Sequence, residues 1–213
     1  KEKIMWSDLV RGECNLDTSS VSDPIIVRED GRFIYTLASV IDDSDFEITH
    51  IIRGEDHVTN SAVQIQIFKA LNSHVPKMGH LSLMTDIDGG ELSKRIGSLS
   101  INELKLQNIE PQALMSYLAK IGSSQNIELH NSMKKLINEF DINSFNKAPI
   151  KFDHKFLKNF NIKFFQLINF NTIKERITEN KVYFTEEFWD FIKTNVSSVD
   201  QIHEWLNIIY GNF

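Results

Sequence analysis

The chain has 213 residues, enough for one well-packed domain or for one domain and part of another. Hydrophobic residues make up 41% and charged residues 24%, which excludes a largely disordered chain, and a net charge of −6 argues against a surface coated for non-specific nucleic-acid binding. Cys14 is the single cysteine, excluding an internal disulfide framework or a cysteine-clustered zinc site; with no apolar run long enough to span a bilayer and no signal-peptide pattern in residues 1–10, a cytoplasmic protein is expected.

In chain order, residues 1–11 carry a mixed apolar pattern with no glycine or proline to mark a domain start. Residues 25–27 and 33–35 are short β-prone runs flanking Arg28-Glu29-Asp30-Gly31, an Asp-Gly turn signal, and they predict a hairpin with Tyr35 at its far end. Residues 36–41 predict a short helix, followed by an acidic turn at Asp42-Asp43-Ser44-Asp45. Residues 47–52 predict a strand whose isoleucines, Ile48, Ile51 and Ile52, are largely buried. Next comes Arg53-Gly54-Glu55-Asp56-His57, and then Val58, Ala62, Ile65, Phe68 and Leu71 at the three- and four-residue spacing of an amphipathic helix. Arg53 to His57 are therefore a strand-to-helix turn, the place where open α/β sheets bind ligands. Surface pairing of Arg53 with Glu55 or Asp56, and helix capping by His57, are the plain alternatives.

Residues 80–84 predict another strand, and His74 and His80, which lack metal-ligand spacing, read as structural. The chain then enters Gly89-Gly90-Glu91-Leu92-Ser93-Lys94-Arg95, a glycine-bordered loop offering hydroxyl, ammonium and guanidinium donors to an anion. Its spacing is not that of a Walker loop, so an ordinary solvated basic turn stays open. Beyond residue 100 the pattern turns helical, with predicted helices at 101–106, from Pro111 to a stop at Gly122, at 131–140 and 153–168, from a Thr185 cap, and at 199–210.

Taken together, these segments resemble the class I aminoacyl-tRNA synthetases, specifically the bacterial glutamyl-tRNA synthetases. The likeness is carried by residues 31–35 leading to Val40-Ile41-Asp42-Asp43, by Thr49-His50-Ile51-Ile52-Arg53-Gly54-Glu55-Asp56-His57, by residues 64–71 with Pro76 and His80, and by Leu92-Ser93-Lys94-Arg95. Pro111-Gln112-Ala113-Leu114 and Phe152-Asp153 extend it to about residue 165.

The resemblance implies a Rossmann-like α/β nucleotide-fold half-domain followed by an all-α region. Its divisions are the C-terminal half of the catalytic fold (1–100), a helical subdomain touching the tRNA acceptor stem (101–170) and the start of an anticodon-binding part (171–213). It implies ATP-dependent activation of glutamate and transfer of the glutamyl group to tRNA(Glu), with Mg2+ accompanying ATP, no metal site in this chain and a monomeric enzyme. Lys94 matches the lysine that stabilises charge on the phosphates, a role in which loss of one donor costs roughly 10²–10³ in rate. Leu92, Ser93 and Arg95 are its neighbours at ATP, and Asp56 and His57 match positions beside the ribose and adenine. Arg53 matches the arginine that pairs with the substrate glutamate carboxylate, and Tyr35 the tyrosine that contacts the amino acid.

Two departures stand out. Glu91 occupies a position usually held by lysine, and nothing matches the family's histidine-rich ATP signature or the arginine before it. A fragment without activity of its own is therefore expected. A glutamyl-queuosine-type paralogue, a glutaminyl enzyme and a non-catalytic tRNA-binding module are the competing readings; the helices beyond Asn169 disfavour the first, and Arg53-Gly54-Glu55-Asp56 the second.

Overall fold

The computed structural model describes residues 2–90, 92, 100–178 and 181–211. The chain divides into two units, Lys1–Met84 with Gly122–Ser124 and Asp141–Ile150, and Thr85–Ile121 with Gln125–Phe140 and Lys151–Phe213.

The first unit is built on a four-stranded sheet of order β2-β1-β4-β3. Strands β1 (Lys3–Asp8) and β2 (Gly12–Asp17) form an antiparallel hairpin from Lys3↔Asp17 to Asp8↔Gly12, and Gly12 supplies the positive φ of 71° at its turn. After helix α1 (Tyr35–Asp45), strand β3 (His50–Gly54) crosses through α2 (Val58–Ala70) to β4 (Lys77–Leu81), which lies parallel to it, as a crossover of this length requires. β4 also pairs parallel with β1 at Asp8↔Met78, where the Leu9 amide donates to the Met78 carbonyl at 2.8 Å. Ile4, Val40, Ala62, Ile65, Phe68 and Met78 close the apolar core, each buried side chain contributing about 1.5–3 kcal/mol where large.

Several local expectations shift. The predicted hairpin around Gly31 shrinks to one bridge, Val27↔Phe33, because Ile34 caps α1 and Tyr35 becomes its first residue. The acidic residues 42–45 lie inside α1, where the Ser44 hydroxyl donates to the Val40 carbonyl at 2.8 Å and buried Val40 anchors the turn. β3 starts at His50, after Glu47 at a φ of 53°, and it is an edge strand, so Ile48 and Ile52 are exposed. Leu71 is exposed too, just past the end of α2. The strand predicted at 80–84 runs instead from Lys77 to Leu81, with β5 (Met84–Thr85) following separately.

In the second unit α3 (Ile101–Leu106) begins at a capping box, in which Ser100 Oγ accepts from the Glu103 amide and the Glu103 carboxylate accepts from the Ser100 amide. α4 (Pro111–Leu118) follows with proline in its first turn, then α5 (Met133–Glu139). Past β6 (Ile150–Lys151) come α6 (His154–Gln166), α7 (Phe170–Arg176), α8 (Glu186–Ile192) and α9 (Val199–Tyr210), whose N-caps Asp153, Asn169, Thr185 and Ser198 each accept a backbone hydrogen bond. α7 went unpredicted. These helices enclose Phe165, Ile173, Phe184, Trp189, Ile202 and Leu206.

Candidate active site

The strand-to-helix turn forms as the residue order requires. β3 stops at Gly54, a single 3-10 turn covers Glu55–His57, and α2 starts at Val58. A Cβ at Gly54 would lie 2.5 Å from Asp56 Oδ1, a contact the exposed Asp56 side chain relieves by turning, and 3.1 Å from Leu83 Cδ2. Asp56 is exposed, and its carboxylate lies 3.7 Å from the ring of half-buried His57. The His57 ring meets Tyr35 edge-on, with centroids 5.6 Å apart, which brings the start of α1 beside the start of α2.

Arg53, at the end of β3, reaches residues of both helices. Its Nη1 donates to the Tyr35 hydroxyl at 2.9 Å, its Nη2 to Ser61 Oγ and to Gln64 Oε1, both at 2.6 Å, and its Nε to His80 Nε2 at 3.4 Å. None of these partners is a carboxylate; among the described residues the anion that the electrostatics couple to the guanidinium is Asp43 on α1, which is not hydrogen-bonded to it. The alternative surface ion pair of Arg53 with Glu55 or Asp56 does not form. Glu55 pairs instead with Arg11 at 2.6 Å, and Asp56 with His57. A fixed, permanently charged, planar fork at the mouth of a sheet suits a carboxylate ligand.

Four residues behind Arg53 are not singled out as site residues by the sequence: Ser61 and Gln64 are detectable only as polar residues on the inward face of α2, and Asp8 and His80 carry no local signal. Ser61, Gln64 and His80 are fully buried and Asp8 is 4% exposed. His80, expected to be merely structural, joins the Arg53 network, whereas His74 is exposed. Its Nδ1 faces Asp8 Oδ2 at 2.5 Å. Burial pushes the Asp8 carboxyl up, but the hydrogen bond from His80 and those from the Arg11, Val10 and His80 amides outweigh it, so the group sits below the usual carboxylate value. Asp43, on α1, is shifted the other way: burial raises it, Arg53 opposes the shift and Asp42 adds to it.

Of the residues expected at ATP, Leu92 is half-buried, while Ser93, Lys94 and Arg95 lie outside the described residues, as does Glu91. The loop before them is ordered by Asp86, whose Oδ1 accepts from the Asp88 and Gly90 amides at 2.9 and 2.7 Å.

The catalytic-domain profile of the class I tRNA synthetases (E and Q) matches residues 1–159. The chain belongs to this family. Within it, the chain is similar to glutamate–tRNA ligase 2 of Hyphomonas neptunium, with 45% identity over 212 residues that cover 99% of the chain and 48% of the relative. It is also similar to glutamate–tRNA ligase 1 of Wolbachia sp. subsp. Brugia malayi, with 46% identity over 211 residues, again 99% and 48%. The chain thus spans about half the length of the curated relatives it matches. The family fold recurs in the crystal structure of a glutamate tRNA ligase from Elizabethkingia meningosepticum, determined in complex with its amino acid. The TM-score is 0.75 at 23% identity, over 95% of this chain and 46% of that one. The glutamate-tRNA synthetase of Elizabethkingia anophelis gives 0.69 at 26% identity over the same shares. The class I synthetase fold implied by the resemblance is therefore the fold found. Among the described residues no helix is long and apolar enough to cross a membrane.

Proposed function

We propose that this chain works in a glutamate–tRNA ligase, with Arg53 and Tyr35 receiving the substrate glutamate. A carboxylate oxygen of glutamate attacks the α-phosphorus of ATP and pyrophosphate leaves; a hydroxyl of the terminal adenosine of tRNA(Glu) then attacks the acyl carbon and AMP leaves. Mg2+ enters with ATP as part of the substrate. Lys94, with Ser93, Arg95 and Leu92, serves the phosphates, and Asp56 and His57 border the ribose and adenine. Residues 1–100 act as the later half of the catalytic fold, 101–170 as the acceptor-stem subdomain and 171–213 as the start of the anticodon-binding part, in a cytoplasmic monomer.

One observation carries this reading: Arg53 is held by four side chains, none of them an anion. A carboxylate completes it, whereas a carboxamide sets an NH2 donor against N–H donors. The names of the relatives support the same amino acid. The test is titration of the chain with L-glutamate and L-glutamine, followed by amide chemical shifts. Wild type should prefer glutamate, and Arg53→Gln should lower glutamate affinity by about 10²-fold while leaving glutamine nearly unchanged. Equal binding of glutamate by Arg53→Gln would rule the assignment out. Grafting the chain into the Hyphomonas neptunium relative extends the test to charging of tRNA(Glu), where the same substitution should raise the KM for glutamate.

A further inference from the structure

Behind Arg53, three elements converge through side chains buried at a depth where polar groups are costly unless fully partnered. Asp8 ends β1, His80 lies on β4, and Ser61 and Gln64 lie on α2. Their hydrogen-bond directions can be worked out from one end. Asp8 Oδ1 accepts from the Val10 and Arg11 amides, both at 3.0 Å, and from the His80 amide at 3.1 Å, which leaves Oδ2 facing His80 Nδ1. An acceptor there assigns the ring hydrogen to Nδ1 and makes Nε2 an acceptor. Ser61 Oγ lies 2.8 Å from Nε2 and 3.3 Å from the His57 carbonyl; the shorter contact takes its hydrogen, with Arg53 Nε sharing the same lone pair at 3.4 Å, and a Ser61 lone pair turns toward Arg53 Nη2. The other Nη2 hydrogen goes to Gln64 Oε1, and that amide is oriented by its own donation to Ser39 Oγ at 2.6 Å. Both Nη2 hydrogens are thus committed to buried acceptors, and the Nη1 edge is left on the side of Tyr35.

We infer that Asp8 and His80 are positioning residues for Arg53, acting through Ser61 to hold the guanidinium in the one orientation that separates a carboxylate from a carboxamide. The inference rests on the proposed role of Arg53 and extends it to residues that never meet the substrate. A guanidinium free to swing can offer a single N–H to an amide oxygen; a clamped one sets its one uncommitted Nη1 hydrogen beside the hydrogen of the Tyr35 hydroxyl, two donors that the two oxygens of a carboxylate accept and an amide NH2 opposes.

Asp8→Asn is the sharpest probe because it changes almost no volume. With the amide oxygen kept by the three backbone donors, the NH2 faces His80 Nδ1 and forces the ring hydrogen onto Nε2. There it opposes the Arg53 Nε–H and turns Ser61 from donor to acceptor. Ser61→Ala removes the same link from the other side. The experiment compares wild type, Asp8→Asn, Ser61→Ala and the double variant. It reads the Arg53 Nε–H NMR signal without ligand, and the dissociation constants for L-glutamate and L-glutamine. Each single variant should broaden or shift that signal, weaken glutamate about tenfold and narrow the glutamate-over-glutamine ratio. The double should be no worse than the more damaging single, as expected for residues acting in one chain.

A wild-type ratio in both folded single variants, or a double variant whose loss is the product of the singles, overturns the inference. If Asp8→Asn does not fold, Ser61→Ala decides by the same ratio. Failure of the underlying reading looks different: wild type itself then binds the two amino acids alike, and the inference falls with it.

Discussion

Around Arg53 the first unit buries Asp8, Ser61, Gln64 and His80 beside a modest apolar cluster, whereas α6 to α9 of the second unit surround a continuous set of rings. In the latter, Phe165 meets Trp189 edge-on at 6.0 Å and Phe184 stacks on Phe170 at 5.6 Å. Trp189 Nε1 finds the Ile168 carbonyl at 3.3 Å, so a large ring is buried with its polar atom satisfied. Aromatic packing supplies stability and tolerates small rearrangement. A hydrogen-bonded polar floor supplies less, but it admits one arrangement of donors and acceptors and so fixes direction. The difference indicates where the molecule holds together and where it discriminates.

Substitutions can break this contrast. Trp189→Ala should give the largest loss, about 3–5 kcal/mol of unfolding free energy in urea. Molecules that remain folded should keep the Arg53 Nε–H signal, since every partner of Arg53 lies in the first unit. Loss of that signal in the folded fraction would mean that the floor depends on the rings. Acid sharpens the contrast next. Because the folded-state Asp8 group lies below 3.8, its contribution is complete above that pH and is lost as pH falls through the folded value. The midpoint of urea unfolding should therefore drop in that window for wild type and much less for Asp8→Asn, which starts lower by about 1.5–3 kcal/mol.

The smallest effect belongs to His154, at the start of α6. Burial lowers its ring below 6.5, Lys158 adds to this and Asp153 opposes it. The unfolded chain then takes up the proton first, so stability declines as pH drops from 6.5 toward the folded value, and His154→Gln should remove that slope. The His154 window opens at 6.5 and the Asp8 window only below 3.8, so a descending pH series meets the His154 change first.

Much of the second unit was legible because its signals are local. Pro111 and Thr185, with the inward Phe188, Trp189 and Ile192, lie within one or two turns of what they act on. α7 escaped because it is short, with Ile173 its single buried residue. β1 and β2 escaped because one side of each strand is polar and exposed, and Met5 breaks the alternation on the outer face. At the site, Arg53 could be found from its position between an apolar strand and an amphipathic helix. Its supports could be found only in part: Ser61 and Gln64 are polar residues at inward positions of α2, a detectable anomaly. Asp8 and His80 lie 72 residues apart and announce nothing until the sheet is assembled.

That separation also bears on the order of assembly. The β1–β2 hairpin closes a short loop and the β3-α2-β4 segment is nearly contiguous, whereas the Asp8–His80 contact requires β1 and β4 to meet across the intervening chain. Contacts of such sequence separation form late and slow the search. By sequence separation the Asp8–His80 contact is expected to follow the β1–β2 and β3-α2-β4 pairings, and a chain stopped before it would carry the Arg53 cation without its full support.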